Sequence, residues 1–152
     1  MSWSANIEGT VTSEPEILKE LLHRMAEGGW IDSDDINRLL DDGEVERDGY
    51  LIRPEEGETY GYPGLLTLEF SGLFRNLGRV LDLWCYQLFQ EHKDRFHCDL
   101  WMTSNDGDHF AARYYVLGNQ FMGKMLGKEV ELEPIGIGDL KFLGEKERSK
   151  EQ

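Results

Sequence analysis

The sequence predicts an α+β fold, a mostly antiparallel sheet with two main helices packed on one face. Three observations carry that expectation: strict polar–apolar alternation at the start of the chain, two stretches of apolar residues at helical spacing, and strand-like runs between and after them.

Taken in order, Trp3, Ala5, Ile7, Gly9 and Val11 alternate with Ser4, Asn6, Glu8, Thr10 and Thr12, the period of a half-buried strand. Ser13 followed by Glu16 has the spacing of a capping box, with Pro15 in the first turn, where its missing N–H costs nothing. Ile17, Leu18, Leu21, Leu22 and Met25 then form one helical stripe that Gly28 and Gly29 end. Asp32 or Ser33 can cap a shorter helix carrying Ile36, Leu39 and Leu40, which stops at Gly43, and Trp30 is placed to staple it. Val45 and Ile52 flank Asp48-Gly49, a dipeptide suited to a two-residue hairpin turn. Residues 54–64, with two prolines and three glycines, read as a long loop.

Leu66, Leu68 and Phe70 define a further strand, after which Ser71 or Gly72 is expected to start the main helix. Leu73, Leu77, Val80, Leu81, Trp84 and Leu88 follow 3.6 spacing there, widened by Phe74, Cys85 and Phe89. Phe96, Cys98, Leu100 and Met102 form the core face of the next strand. Residues 105–108 turn the chain, and Phe110, Ala112, Tyr114 and Val116 return it antiparallel. Phe121, Met122, Met125 and Leu126 suit a short helix weakened by Gly123 and Gly127, and Val130 and Leu132 suit a last strand. This order contains a β-α-β-β followed by an α-β-β, so the expected topology is a ferredoxin-like split with an added hairpin. One domain over residues 1–143 and a solvated charged tail over 144–152 follow from the length and from the loss of apolar residues after Gly144.

Composition narrows the function. The formal net charge is −14, from 30 acidic and 16 basic side chains, and such a surface repels phosphates and anionic lipid. Direct nucleic-acid and membrane-surface roles are therefore disfavoured. There is no apolar run long enough to span a bilayer and no secretory signal, and two cysteines, Cys85 and Cys98, fit core positions, so a reducing cytoplasm is expected. The charge is uneven. Residues 27–58 hold twelve acids against Arg38, Arg47 and Arg53, a net −9 in 32 residues.

No catalytic residue, metal or cofactor is expected from motif spacing. Calcium-loop registers starting at Asp32 and Asp41 fail, with Ile36 and Gly43 where oxygen ligands belong. Nucleophile elbows, phosphate loops and zinc spacings are absent. His97 and Asp99 share a strand face with Trp101 beyond them, and His109 or Arg113 would join it if the pairing register allows. That face is the alternative reading, the site of a small-ligand enzyme or sensor. The leading reading is a small acidic binding protein that masks or inhibits a basic macromolecular surface, in the manner of an immunity protein or a phage-type inhibitor. Its binding residues are the carboxylates Asp32, Asp34, Asp35, Asp41, Asp42, Glu44, Glu46 and Asp48, with Tyr60, Tyr62, Trp101 and Tyr115 as exposed aromatic anchors. The expected partner is another protein with a basic surface.

Overall fold

The computed structural model describes residues 4–55, 64–104, 111–125, 128–134 and 140–142. Strand β1 (Ser4–Ser13) buries Ala5, Ile7 and Val11, as the alternation requires. Helix α1 (Pro15–Glu27) follows with Ile17, Leu18, Leu21, Leu22 and Met25 all buried, and Gly28 closes it by donating its N–H to the Arg24 carbonyl at 3.1 Å. The expected capping box does not form. Strand β1 continues through Ser13, whose hydroxyl donates to the Arg95 carbonyl at 2.6 Å, and Glu14 becomes the N-cap residue. The Glu14 carboxylate instead pairs with the Arg95 guanidinium, so the start of α1 is tied to the entrance of β5.

Helix α2 (Ser33–Leu40) has Asp32 as its N-cap, as expected, and Asp35 returns the cap by accepting the Asp32 N–H at 2.8 Å. Strands β2 (Val45–Arg47) and β3 (Tyr50–Pro54) form the hairpin across Asp48-Gly49, with Val45 opposite Ile52. Trp30 is fixed from three sides: its indole N–H donates to the Arg75 carbonyl at 2.7 Å, its carbonyl accepts the Tyr50 hydroxyl at 2.5 Å, and its ring meets Trp84 edge-on.

Strand β4 (Leu66–Arg75) departs from expectation. The main helix does not begin at Ser71 or Gly72, because the strand runs on and pairs with all ten residues of β1, from Ser4 opposite Arg75 to Ser13 opposite Leu66. Phe70 and Phe74, four apart, satisfy both a helical and a strand period, and the waiting backbone edge of β1 decides in favour of the strand. Gly72 makes this possible. At φ 115° it lies so close to β3 that a Cβ would sit 2.1 Å from the Gly49 carbonyl oxygen. Asn76 then turns the chain at φ 65°, one 3₁₀ turn covers Leu77–Arg79, and helix α3 spans Leu81–His92, burying Leu81, Cys85, Leu88 and Phe89.

Strand β5 (Phe96–Ser104) pairs antiparallel with both β1 and β6 (Ala111–Leu117). Phe121, Met122 and Met125, read from sequence with Leu126 as a short helix, belong to strand β7 (Gln120–Met125), and Leu126 lies outside the described residues. Gly118, at φ 60°, and Asn119 close a two-residue turn that brings Leu117 opposite Gln120, the geometry a β-hairpin needs. Strands β8 (Lys128–Pro134) and β9 (Leu140–Phe142) complete the sheet.

The sheet order is β2-β3-β4-β1-β5-β6-β7-β8-β9, antiparallel at every pairing. Its centre, β3-β4-β1-β5 with α1 and α3 as crossovers, has the strand order of the ferredoxin-like split. Hairpin strand β2 extends one edge and the β6–β9 meander extends the other. Helices α1, α2 and α3 cover one face, where Ile7, Phe70, Phe74, Leu100 and Met102 meet Leu21, Leu39, Leu81 and Leu88 in one core. Cys85 and Cys98 are free thiols within it, and burial raises the Cys98 thiol well above its ordinary range. Among the described residues, no helix is long and apolar enough to cross a membrane.

Candidate interaction surface

The acidic block forms the end of the molecule built from α2, the turn after it and the β2–β3 hairpin. Local chemistry explains its shape. Gly43 donates its N–H to the Arg38 carbonyl at 2.7 Å, which closes α2 and forces Asp42 into the left-handed region at φ 68°. Aspartate tolerates that conformation better than most residues. Asp34, Asp41, Asp42, Glu44, Glu46 and Asp48 are all exposed.

Asp35 is the exception within the predicted set. It is 5% exposed and belongs to the fold. Its carboxylate accepts from the Asp32 N–H, lies 3.2 Å from Arg38 Nη1 and 3.2 Å from Arg47 Nη2, and Arg47 also reaches Asp32 at 3.1 Å. Burial pushes the Asp35 carboxyl upward, but the Asp32 N–H and the two guanidinium groups outweigh it and hold the group below its ordinary range. Asp32 remains exposed while sharing Arg47, so it serves both cap and surface.

Beside this block, the sheet edge opens into a cleft of about 530 Å³, with Asp42, Glu44, Arg53, Pro54, Glu55 and Glu69 among its walls. Four carboxylates meet one guanidinium among these residues, and Arg53 is 3.5 Å from Glu69. Glu55 and Glu69 extend the acidic surface beyond the residues singled out from sequence. Glu69 had a legible signal, since it alternates with the buried Leu68 and Phe70 and must face away from the helices.

The aromatic anchors divide. Trp101 is 46% exposed, but Tyr115 is 5% exposed and is therefore not an exposed anchor. Tyr60 and Tyr62 lie outside the described residues. Trp101 and Tyr115 stand on the helix-free face, where the β5–β6 register sets Trp101 opposite Arg113 and Asp99 opposite Tyr115. Arg113 grips Asp99 with two hydrogen bonds, of 2.8 and 2.7 Å. Its guanidinium carbon lies 4.1 Å from the Tyr115 ring centre and 5.4 Å from that of Trp101.

This arrangement bears on the alternative site. Arg113 does join the face of His97 and Asp99, whereas His109 lies outside the described residues. Both Asp99 oxygens are engaged by Arg113, which leaves the carboxylate poorly placed to orient His97 as a base. His97 lies opposite Thr12, and burial lowers its pKa against the opposing pull of Asp99, favouring the neutral imidazole. A smaller cleft of about 290 Å³ opens there between Thr12, Leu65, Phe96, His97 and Val116. No protein family, curated protein or solved structure matches the chain.

Proposed function

We propose that this chain is an acidic binding protein whose α2–β2–β3 end docks onto a Lys- and Arg-rich surface of another protein and masks it, the mode of action of an immunity protein or of an inhibitor of a nucleic-acid-binding enzyme. The observation that supports this most is the exposure of six carboxylates, Asp34, Asp41, Asp42, Glu44, Glu46 and Asp48, beside a cleft that adds Glu55 and Glu69. Like charges held this close repel one another and cost the fold some stability. A cationic partner offsets that repulsion and is drawn in over the Debye length of about 8 Å at physiological salt. Solubility alone is served as well by carboxylates spread over the whole surface.

The test uses the variant in which Asp34, Asp41 and Asp42 become Asn and Glu44 becomes Gln, which leaves the ion-paired Asp35 intact. Wild type immobilised on resin should capture basic proteins from a cell extract at low salt and release them at high salt. The variant should capture far less. Equal capture by both at every salt concentration would reduce the acidic end to a solvating surface.

A second reading, a small-ligand enzyme or sensor on the helix-free face, draws its support from the cleft beside His97. A ligand screen by thermal shift on wild type and His97→Ala separates the two, since docking at the acidic end does not involve His97.

A further inference from the structure

Far in sequence from the acidic end, helices α1 and α3 bring together three metal-ligating side chains. Arg24 on α1 donates to Gln87 Oε1 on α3 at 2.7 Å. One turn earlier on α1 and one turn later on α3, Glu20 meets Glu91 and His92. One carboxylate oxygen from each glutamate and one imidazole nitrogen all lie within 4.8 Å of one another.

Two features of this trio call for a cation. The two exposed carboxylates face each other across the helix pair, and neither forms an ion pair with a lysine or arginine among the described residues. The neighbouring Lys93 directs its ammonium over the Phe89 ring, 5.3 Å from its centre. The second feature is His92 itself. Its Nε2 atom is shielded from solvent, makes no hydrogen bond among the described residues, and lies 3.6 Å from Glu91 Oε2, too far for one. A shielded imidazole nitrogen within 4.8 Å of two carboxylate oxygens is a ligand set able to share one ion.

We propose that Glu20, Glu91 and His92 bind one divalent transition-metal ion of the zinc class across α1 and α3. One imidazole with two carboxylates suits zinc, whereas calcium and magnesium favour oxygen ligands alone. Three protein ligands leave a coordination position for water, and the ion straps together two helices that already share the Arg24–Gln87 hydrogen bond. The ligands come from separate helices, so no local spacing in the sequence announces them. None of the three ligands belongs to the apolar core that α1 and α3 help to build, so the metal-free chain is expected to stay folded.

The test is calorimetric titration of the full-length, chelator-treated chain with Zn²⁺ alone, with Mg²⁺ as a parallel arm. Wild type should bind one Zn²⁺ per chain with a rise in Tm that EDTA reverses, and should ignore Mg²⁺. His92→Ala and Glu20→Gln should each weaken Zn²⁺ binding by at least the ~10–100-fold that loss of an outer-shell partner already causes. His23→Ala removes an exposed histidine of α1 outside the trio and should leave binding unchanged. Circular dichroism of each metal-free variant confirms folding, and Glu91→Gln replaces any variant that does not fold. No Zn²⁺ binding by wild type, or undiminished binding by folded His92→Ala and Glu20→Gln, overturns the assignment.

Discussion

Replacing Asp35 should separate the acids that hold the fold from those that face outward. The carboxylate accepts one backbone hydrogen bond at 2.8 Å and meets two guanidinium groups at 3.2 Å, while itself almost fully buried. A hydrogen bond to a charged acceptor is worth about 1.5–3 kcal/mol. Arg38 and Arg47 are 57% and 37% exposed, so each pair adds only the ~0.2–1 kcal/mol of a solvent-screened contact. Asp35→Ala should therefore cost about 2–5 kcal/mol, and Asp35→Asn, which keeps an acceptor for the Asp32 N–H, about half as much. Urea unfolding reads both, and Asp34→Ala, exposed one residue away, should fall within ~0.5 kcal/mol of wild type. The pH dependence has a definite sign. A carboxyl whose folded pKa lies below its ordinary 3.8 contributes fully above that value, and the contribution disappears as pH falls through the lowered folded value. Asp35→Asn should therefore flatten the acid limb of the stability profile below about pH 4 and leave the neutral region parallel to wild type. Equal stabilities for Asp35→Ala and Asp34→Ala, or an unchanged acid limb, would refute the reasoning.

Other outcomes follow from the same geometry. Leu77→Ala and Leu81→Ala remove fully buried side chains and should each cost ~2–5 kcal/mol by urea or thermal unfolding, although only Leu81 is in α3. Gly72→Ala should destabilise by at least ~1–3 kcal/mol, because the new Cβ would press on the Gly49 carbonyl oxygen at a positive φ. The variant of Asp34, Asp41, Asp42 and Glu44 should fold as well as wild type or slightly better, and stopped-flow association with a captured partner should be slower and less dependent on salt.

Much of the fold was legible because its periodic signals were local. The stripe from Ile17 to Met25 and the alternation from Phe96 to Met102 each pointed to one element, and both form with those faces buried. Two errors share a physical cause. Leu73 and Phe74, and Phe121 to Met125, carry apolar spacings that a helix accepts, but in β4 and β7 a neighbouring strand offers backbone hydrogen bonds that only an extended chain can take. Gly72 and the Gly118-Asn119 turn were the local clues, and both read more easily once the partner strand is known. The acidic surface was visible as composition. Which carboxylates face outward was not, because the burial of Asp35 depends on Arg47, twelve residues away on another element. Glu20 lies farther still from the adjacent Glu91 and His92, and only the packing of α1 on α3 unites them.

The three-residue strand β2 ends one side of the sheet among the described residues, and the outer rim of such a sheet carries backbone groups able to recruit a stray strand from another molecule. Here the rim is brief and the exposed Glu44, Glu46 and Asp48 crowd around it, so two copies approaching rim to rim bring carboxylate against carboxylate. Charge repulsion at this rim therefore disfavours edge-to-edge pairing of two copies. Neutralising the acidic end weakens that repulsion, so slow oligomerisation at high concentration, visible by light scattering, is the expected companion of any loss of partner binding.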